Sequence, residues 1–402
     1  MKNGLTLFFL CLICVFHMKA ITAVDGLTGQ PLPKASIFDS KGKIIGISSD
    51  KGLLPYISPE CFPISVCFLG YESAVVTSPL QNNVTLFPVS TELPEIIVDS
   101  KKKQVLYLKG CVREYSSMIT NSDTVFLYRE KNVDFMVPVV KNKHFTGWTL
   151  PRLLSSKSYY HFTDNSGLDS VSDYYNNHFS WSDWIGILTS ATLPEKLKNK
   201  VFANDTVRAK YGISSIWQKK DDDVSLNIDI LSTEENRKWV PGISHFLNKD
   251  IDFTLFDLRY DFCDVNEQEV RPDNIARISY NIQANGNNRN INRLGNRIQP
   301  VYMDTYAEIY ITSREYISFS EASKIEKRLK EHITEEKSEM MPELMASIQD
   351  LIERVNNTDN EMERLQRATD KKIGGRELKG EKYKHGVLPF ISRTLKKLGF
   401  QF

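Results

Sequence analysis

The sequence is poor in the features that mark a catalyst. It has no Gly-x-Ser-x-Gly elbow, no phosphate-binding loop ending in Lys-Ser/Thr, no His-Glu-x-x-His and no acidic calcium loop. Excess charge of one sign is equally absent: 51 Lys and Arg against 50 Asp and Glu leave a formal net charge of +1 over 402 residues. That balance gives no electrostatic footprint for nucleic acid, which is not expected as a partner. Beyond the N-terminus no stretch has the about 20 consecutive apolar residues of a membrane helix. Cysteine is scarce, six in all. Two of them, Cys11 and Cys14, fall in the first apolar run, and Cys61, Cys67, Cys111 and Cys263 have the irregular spacing of neither a disulfide scaffold nor a zinc site. On one extended strand Cys61 and Cys67 would stand too far apart to bond, although Pro63 can bend that stretch and leaves the pair open. The plainer expectation for all four is small buried apolar residues, and neither metal nor cofactor is expected.

What is present begins with a leader. Lys2 precedes an apolar run from Leu5 to Phe16, then Met18-Lys19-Ala20 and Ile21-Thr22-Ala23. This is the layout of a secretory signal peptide over residues 1–20, too short to anchor in roughly 30 Å of hydrocarbon. Cleavage is expected after Ala20 or Ala23. Cys11 and Cys14 lack the small residues that precede a lipoprotein cysteine, so the expectation is a soluble exported protein.

Val24 to Val98 is the most telling stretch. Asp25, Gly26 and Gly29 with Pro31 and Pro33, then Ser40-Lys41-Gly42, then Asp50-Lys51-Gly52 are turn signals between short runs rich in Ile and Val. Short strands at that spacing predict a small β-sandwich over residues 21–92. The order Gly29, Pro31, Leu32, Pro33, Ala35, Gly46, Ser49, Asp50, Gly52, Gly70, Tyr71 and the closing Leu93-Pro94-Glu95-Ile96-Ile97-Val98 resembles the carboxypeptidase-regulatory-like domain that precedes the plug of Bacteroidota-type TonB-dependent outer-membrane importers. The resemblance covers roughly a fifth of the chain. It implies an exported envelope protein, in the periplasm or on the periplasmic face of the outer membrane, and is uninformative about activity. A linker is expected over residues 93–104. The remaining stretch carries no train of roughly ten-residue alternating strands, so an importer barrel is not expected.

Residues 105–317 are dominated by β signals. Val125-Phe126-Leu127-Tyr128 and Val133 to Val139 flank the polar Glu130-Lys131-Asn132, which predicts a hairpin. Val224, Leu226, Ile228 and Ile230 alternate with polar residues after an Asp221-Asp222-Asp223 turn, better read as solvated than as a cation site. A phase change predicts a bulge near Leu255-Phe256. Between Val301 and Thr312 the tyrosines Tyr302, Tyr306 and Tyr310 share one face and form a ladder. Pro151 to Trp184, with Trp181 and Trp184, reads as an ordered aromatic connection, either a platform for sugars or lipid head groups or, preferred, a plug on a curved sheet. Helical spacing is visible from Thr192 to Lys200. Arg289, Arg293 and Arg297 in the Asn-rich loop after Asn285 suit anionic or sugar ligands, with a mobile connection as the plainer reading.

The C-terminal residues 318–402 read as helical. Ser318 with Glu321 fits a capping box, and Pro342 is expected to open a second helix striped by Leu344, Ile348, Leu351, Ile352 and Val355. Residues 359–384 are expected to be mobile, and Val387 to Phe402 is a short basic amphipathic segment, packed on its own domain or in peripheral contact with a membrane. His332 and Glu335 match a short zinc-peptidase pattern, but on a charged helix a solvated face is the ordinary reading. Asp123-Thr124-Val125, Asp169-Ser170-Val171 and Asp205-Thr206-Val207 resemble the sites where exported proteins of that bacterial group receive O-glycans, on Thr124, Ser170 and Thr206.

The expected class is therefore α+β: an N-terminal β-sandwich, a middle domain on a curved antiparallel sheet, and a helical C-terminal region. The expected function is a non-enzymatic interaction or scaffold module with an envelope protein partner. The alternative is a periplasmic carrier holding a lipid or glycan in a cup lined by Tyr302, Tyr306, Tyr310, Trp181, Trp184, Arg289 and Arg293.

Overall fold

In the computed structural model the described residues are 20–89, 104–173, 180–187, 190–240, 242–247, 251–265, 268–286, 300–328 and 341–358. The first block folds around the turns that its glycines permit. Strands β1 (Thr22–Asp25), β2 (Ser36–Phe38), β3 (Ile44–Ile47), β4 (Ile64–Cys67), β5 (Ala74–Val76) and β6 (Asn83–Leu86) form two small sheets. One is antiparallel in the order β3-β2-β4-β5, and the other pairs β1 parallel to β6. Ile37, Ile64, Val66, Val76, Val84 and Leu86 fill the space between them. Gly52 closes the Asp50-Lys51-Gly52 turn at φ +72°, and a Cβ there would stand 2.7 Å from the Ala23 carbonyl oxygen. Only glycine meets both conditions.

The rest of the chain builds one large sheet. Its first strands are β7 (Val105–Ile119), β8 (Asp123–Pro138), β9 (Trp148–Asp164) and β10 (Asp169–Ser172). After the short β11 (Ala191–Thr192) come β12 (Phe202–Ala209), β13 (Gly212–Lys220), β14 (Asp223–Asp229) and β15 (Ile251–Phe262). The last are β16 (Glu269–Val270), β17 (Ile275–Gly286) and β18 (Val301–Ile317). Ten of them pair in the order β10-β9-β8-β7-β18-β17-β15-β14-β13-β12, and β11 pairs separately with β16. Every neighbouring pair in the large sheet is antiparallel.

Period-2 alternation sends Ile278, Tyr280 and Ile282 to one face of β17 and Arg277, Ser279 and Asn281 to the other. The apolar face meets the main core with Leu226, Phe256, Leu258 and Ile309. The other face is covered by the N-terminal sandwich and the helix Ala346–Asn357. Phe38, Ile44 and Cys67 of the sandwich share a cluster with Tyr115, Tyr128 and Tyr306 of the sheet and with Ile348, Leu351 and Val355 of the helix. Central strands are thus buried on both faces, which is why β18 is buried almost throughout.

The sheet is curled. Thr149 on β9 and Tyr260 on β15 belong to strands separated by β8, β7, β18 and β17 in the sheet order, yet the dipeptide Gly186-Ile187 bonds to both. Ile187 N–H donates to the Thr149 carbonyl at 2.8 Å, and the Tyr260 hydroxyl donates to the Gly186 carbonyl at 2.9 Å. The strap therefore crosses the concave side, where the main core lies.

Several expectations are corrected. The class is mostly β, with 52% of the described residues in strands and 13% in helices, and among the described residues after Ile317 there are two short helices instead of a helical region. The helical periods after Ser318 are real but short. They give the ten-residue helix Phe319–Arg328, opened by the Ser318–Glu321 capping box, and the twelve-residue Ala346–Asn357. These helices belong to separate apolar clusters and cover sheet surface. Pro342 does not open the second one, which starts at Ala346. Thr192 to Lys200 forms a strand end and a turn instead of a helix.

The predicted hairpin around Glu130-Lys131-Asn132 is one continuous strand, β8. Those polar residues find partners across the sheet, and the irregularity they signal is a register shift between Asn132 and Val133. Likewise Pro151 to Asp164, the first part of the supposed aromatic connection, belongs to the seventeen-residue strand Trp148–Asp164. The bulge near Leu255 appears as a register shift between Phe253 and Leu255. The four cysteines Cys61, Cys67, Cys111 and Cys263 are free thiols. The leader, most of the linker, Arg289, Arg293, Arg297, His332, Glu335 and residues 359–402 lie outside the described residues.

Candidate functional site

The tyrosine ladder lies inside the joint between sheet and sandwich. Tyr306 stacks on Tyr115 with ring centroids 5.9 Å apart, and Phe38 meets it edge-on at 6.1 Å. The Tyr306 hydroxyl donates to Glu308 Oε1 at 2.5 Å and the Tyr310 hydroxyl to Oε2 at 3.1 Å. Burial pushes the Glu308 carboxyl up, and the two phenols and the nearby Arg113 partly oppose that shift. Tyr302 sits half-buried beside Asp304, whose carboxyl burial pushes up to about 7. A pocket between sandwich and sheet, bordered by Lys34, Phe68 and Tyr306, holds about 20 Å³, room for about one water. Tyr306 and Tyr310 are packed interior, and among the described residues they line no cup.

Trp181 and Trp184 also pack. Trp181 is buried edge-on to Phe246 at 5.2 Å and Phe253 at 5.3 Å, and Trp184 meets Phe246 at 4.8 Å. Below them Lys131 reaches Ser180 Oγ at 2.6 Å, Ser182 Oγ at 2.9 Å and Asp183 Oδ1 at 2.7 Å. Both serines donate to Glu114 Oε2, at 2.6 and 3.0 Å. Lys131 and Glu114 are buried, so this network engages the ammonium and one oxygen of the carboxylate and clamps residues 180–184 on β7 and β8. Of the proposed glycan acceptors, Thr206 is exposed on edge strand β12, while Thr124 on β8 and Ser170 on β10 are half-buried.

A sizeable opening lies elsewhere, at the β13–β15 end of the concave face. It is a cavity of about 920 Å³. Trp217 on β13, Leu226 and Ile228 on β14 and Tyr260 on β15 make the floor; the strap at Gly186-Ile187 makes one wall and the turn Thr233 to Trp239 the other. The floor follows from alternation, because Leu226 pairs with Trp217 on one side and Tyr260 on the other. Gly186 is required: a Cβ there would stand 2.7 Å from the Thr149 carbonyl oxygen.

The opposite wall is held by one side chain. The Asn236 amide shares its two Nδ2 hydrogens among the Ser214 carbonyl at 3.0 Å, Ser214 Oγ at 2.9 Å, the Asp229 carbonyl at 2.7 Å and Ser232 Oγ at 3.0 Å. That lock places the half-buried Trp239 with its ring centroid 5.3 Å from that of Tyr260. Around this aromatic corner Thr149, Ser190, Thr192, Ser215 and Thr233 bring hydroxyls to the lining, and Arg208, Glu235 and Lys238 bring charge. Lys238 pairs with Glu235 at 3.1 Å. The arrangement can stack a flat apolar surface and hydrogen-bond its polar edge. Among the described residues no group of three or more His, Cys, Asp or Glu is placed to hold a metal ion.

No family model matches the chain, and no curated protein matches it. Three solved chains do. One belongs to a structure of lipid–protein interactions in lipovitellin, 8% identical, covering 62% of this chain and 28% of that one, with a TM-score of 0.22. The chain thus spans well under a third of that protein, and a likeness so loose carries no argument.

None of the cavity residues stood out in the sequence as a site. Trp217, Leu226 and Ile228 were legible as strand residues, but Trp239 and Asn236 sit in a charged turn with no period. The contact between Gly186 and Thr149 has no sequence signal at all.

Proposed function

We propose that the chain is an exported envelope protein that binds a small amphipathic ligand, with a glycan fragment as the class that fits best. The observation that carries this reading is the cavity of about 920 Å³, near the upper end of ordinary ligand sites. The half-buried Trp239 on its wall offers a ring to the C–H face of a sugar, and its hydroxyl rim suits the ring's edge. The sandwich lies across the sheet from the cavity and buttresses the strands that form the floor. Export rests on the leader, and the envelope setting on the resemblance of residues 24–98.

Native mass spectrometry of the mature protein taken gently from its own envelope tests this. A discrete non-covalent mass in the glycan range, lost in Trp239→Ala, is the expected result. A bare chain that also binds nothing across neutral and acidic oligosaccharides would end the reading.

A second reading, a scaffold for an envelope protein partner, is favoured by the filled tyrosine face and by exposed apolar side chains on the sandwich. Tyr56 and Leu80 are 75% and 87% exposed. Copurification of one stoichiometric protein, abolished by Tyr56→Ser with Leu80→Ser, would select it.

A further inference from the structure

We infer that the ligand of this cavity is an acidic sugar whose carboxylate is taken by Arg208. The inference rests on the ligand-binding reading above and adds the charge of the ligand and the residue that reads it.

Val207 and Arg208, near the end of β12, both border the cavity. Beside them the β12–β13 ladder shifts register: Val207 pairs with Ser215 and Arg208 with Ile213, so the extra residue, Ser214, belongs to β13. That bulge adds twist to the end of the hairpin that carries the Arg208 guanidinium, and Ser214 itself joins the lining.

Charge bookkeeping then isolates that guanidinium. The neighbouring acid on the strand, Asp205, is held by Lys196 at 2.6 Å. The acid on the opposite wall, Glu235, is held by Lys238 at 3.1 Å. Arg208 is exposed, and no ion pair or hydrogen bond engages its side chain among the described residues. The lining thus carries two cations and one anion, and the surplus charge sits on the residue whose planar fork matches a carboxylate in two parallel hydrogen bonds. The Trp239 ring, the hydroxyl rim and one guanidinium together suit a ring with an apolar face, several hydroxyls and one carboxylate, such as a uronic acid.

The test uses the full mature chain and a matched pair of probes, trigalacturonate and its fully methyl-esterified form, titrated calorimetrically at low salt, with laurate as a non-sugar acid. The expected result is binding of trigalacturonate about 10- to 100-fold tighter than its ester, as a charge-assisted pair supplies. Arg208→Gln should bring the acid down to the level of the ester, leave the ester unchanged and leave thermal unfolding in place, since Arg208 is exposed. Equal binding of acid and ester, unmoved by Arg208→Gln, would overturn the acid recognition and leave a neutral-glycan pocket standing. Binding of laurate alone, or of no probe, would overturn this inference together with the glycan reading, and Trp239→Ala reports whether any binding seen is in the cavity.

Discussion

Lys34 of the sandwich stands 3.2 Å from Asp257 on β15, an ion pair that bolts the two sheets together. A second carboxylate, Asp50, stands 3.3 Å from the same ammonium. Burial raises the Asp257 carboxyl to about 6 even with Lys34 opposing the shift. Removing the cation leaves that carboxylate buried and unpaired, so Lys34→Met should cost about 1–3 kcal/mol in denaturant unfolding at pH 8. At pH 5 Asp257 is free to take a proton, and the cost should shrink. The double variant with Asp257→Asn should regain most of the loss at pH 8; if it does not, the pair is not what holds the joint.

Asp304 makes a pH prediction of its own. Its folded carboxyl titrates at about 7, far above an unfolded value of about 4, because burial disfavours the charge. The folded chain therefore binds this proton more tightly than the unfolded chain. Stability from the group is full below about pH 4 and is lost as the pH rises through 7. Asp304→Asn should match the parent near pH 4 and exceed it by on the order of 2–4 kcal/mol at pH 8. Unfolding curves of the two proteins that stay parallel across that range would show that Asp304 is not the source.

Phe38 is wholly buried and meets both Tyr115 and Tyr306 edge-on. Phe38→Ala should cost about 3–5 kcal/mol and flatten the near-ultraviolet circular dichroism of the tyrosine cluster. Phe38→Leu should cost less than half as much. A loss below about 1 kcal/mol in the alanine variant would mean the sandwich does not need this contact to stay docked.

The four thiols should separate by reactivity. Cys67 is buried with its Sγ 3.2 Å from Met345 Sδ, and burial pushes its thiol well up. Burial pushes Cys111 and Cys263 up to about 12. Cys61 is half-buried and should label first in the native protein at pH 8, with Cys67 and Cys111 labelling only on unfolding. Peptide mapping of a brief alkylation checks this, and early labelling of Cys67 would contradict the docked sandwich.

How much of this was legible in the sequence depends on range. Alternation is local, so the facing of β14 and of β18 reads directly from Val224, Leu226 and Ile228 and from Tyr302, Tyr306 and Tyr310. Their surroundings are not local. The tyrosines look like a ligand face until Phe38 arrives from the N-terminal block to fill it. Glu130-Lys131-Asn132 looks like a turn because its partners, Glu114 among them, are distant in the chain. The cavity needs the curl of the sheet, and the strap at Gly186-Ile187 that spans the curl makes contacts with Thr149 and Tyr260 that leave no trace in composition or period.

The central pairing of β7 with β18 sets Val105 against Ile317 and Ile119 against Tyr302. During synthesis at about 5–20 residues per second, β7 to β10 leave the ribosome long before β18 exists. Until it does, β7 presents a fifteen-residue open edge, the kind of surface on which strands of other chains add. Joining the halves must close a loop spanning most of the sheet, so assembly should be slow and limited by this last strand. A chain cut short before Val301 would keep both halves and lose the seam between them, and its fate should be aggregation instead of a smaller working protein.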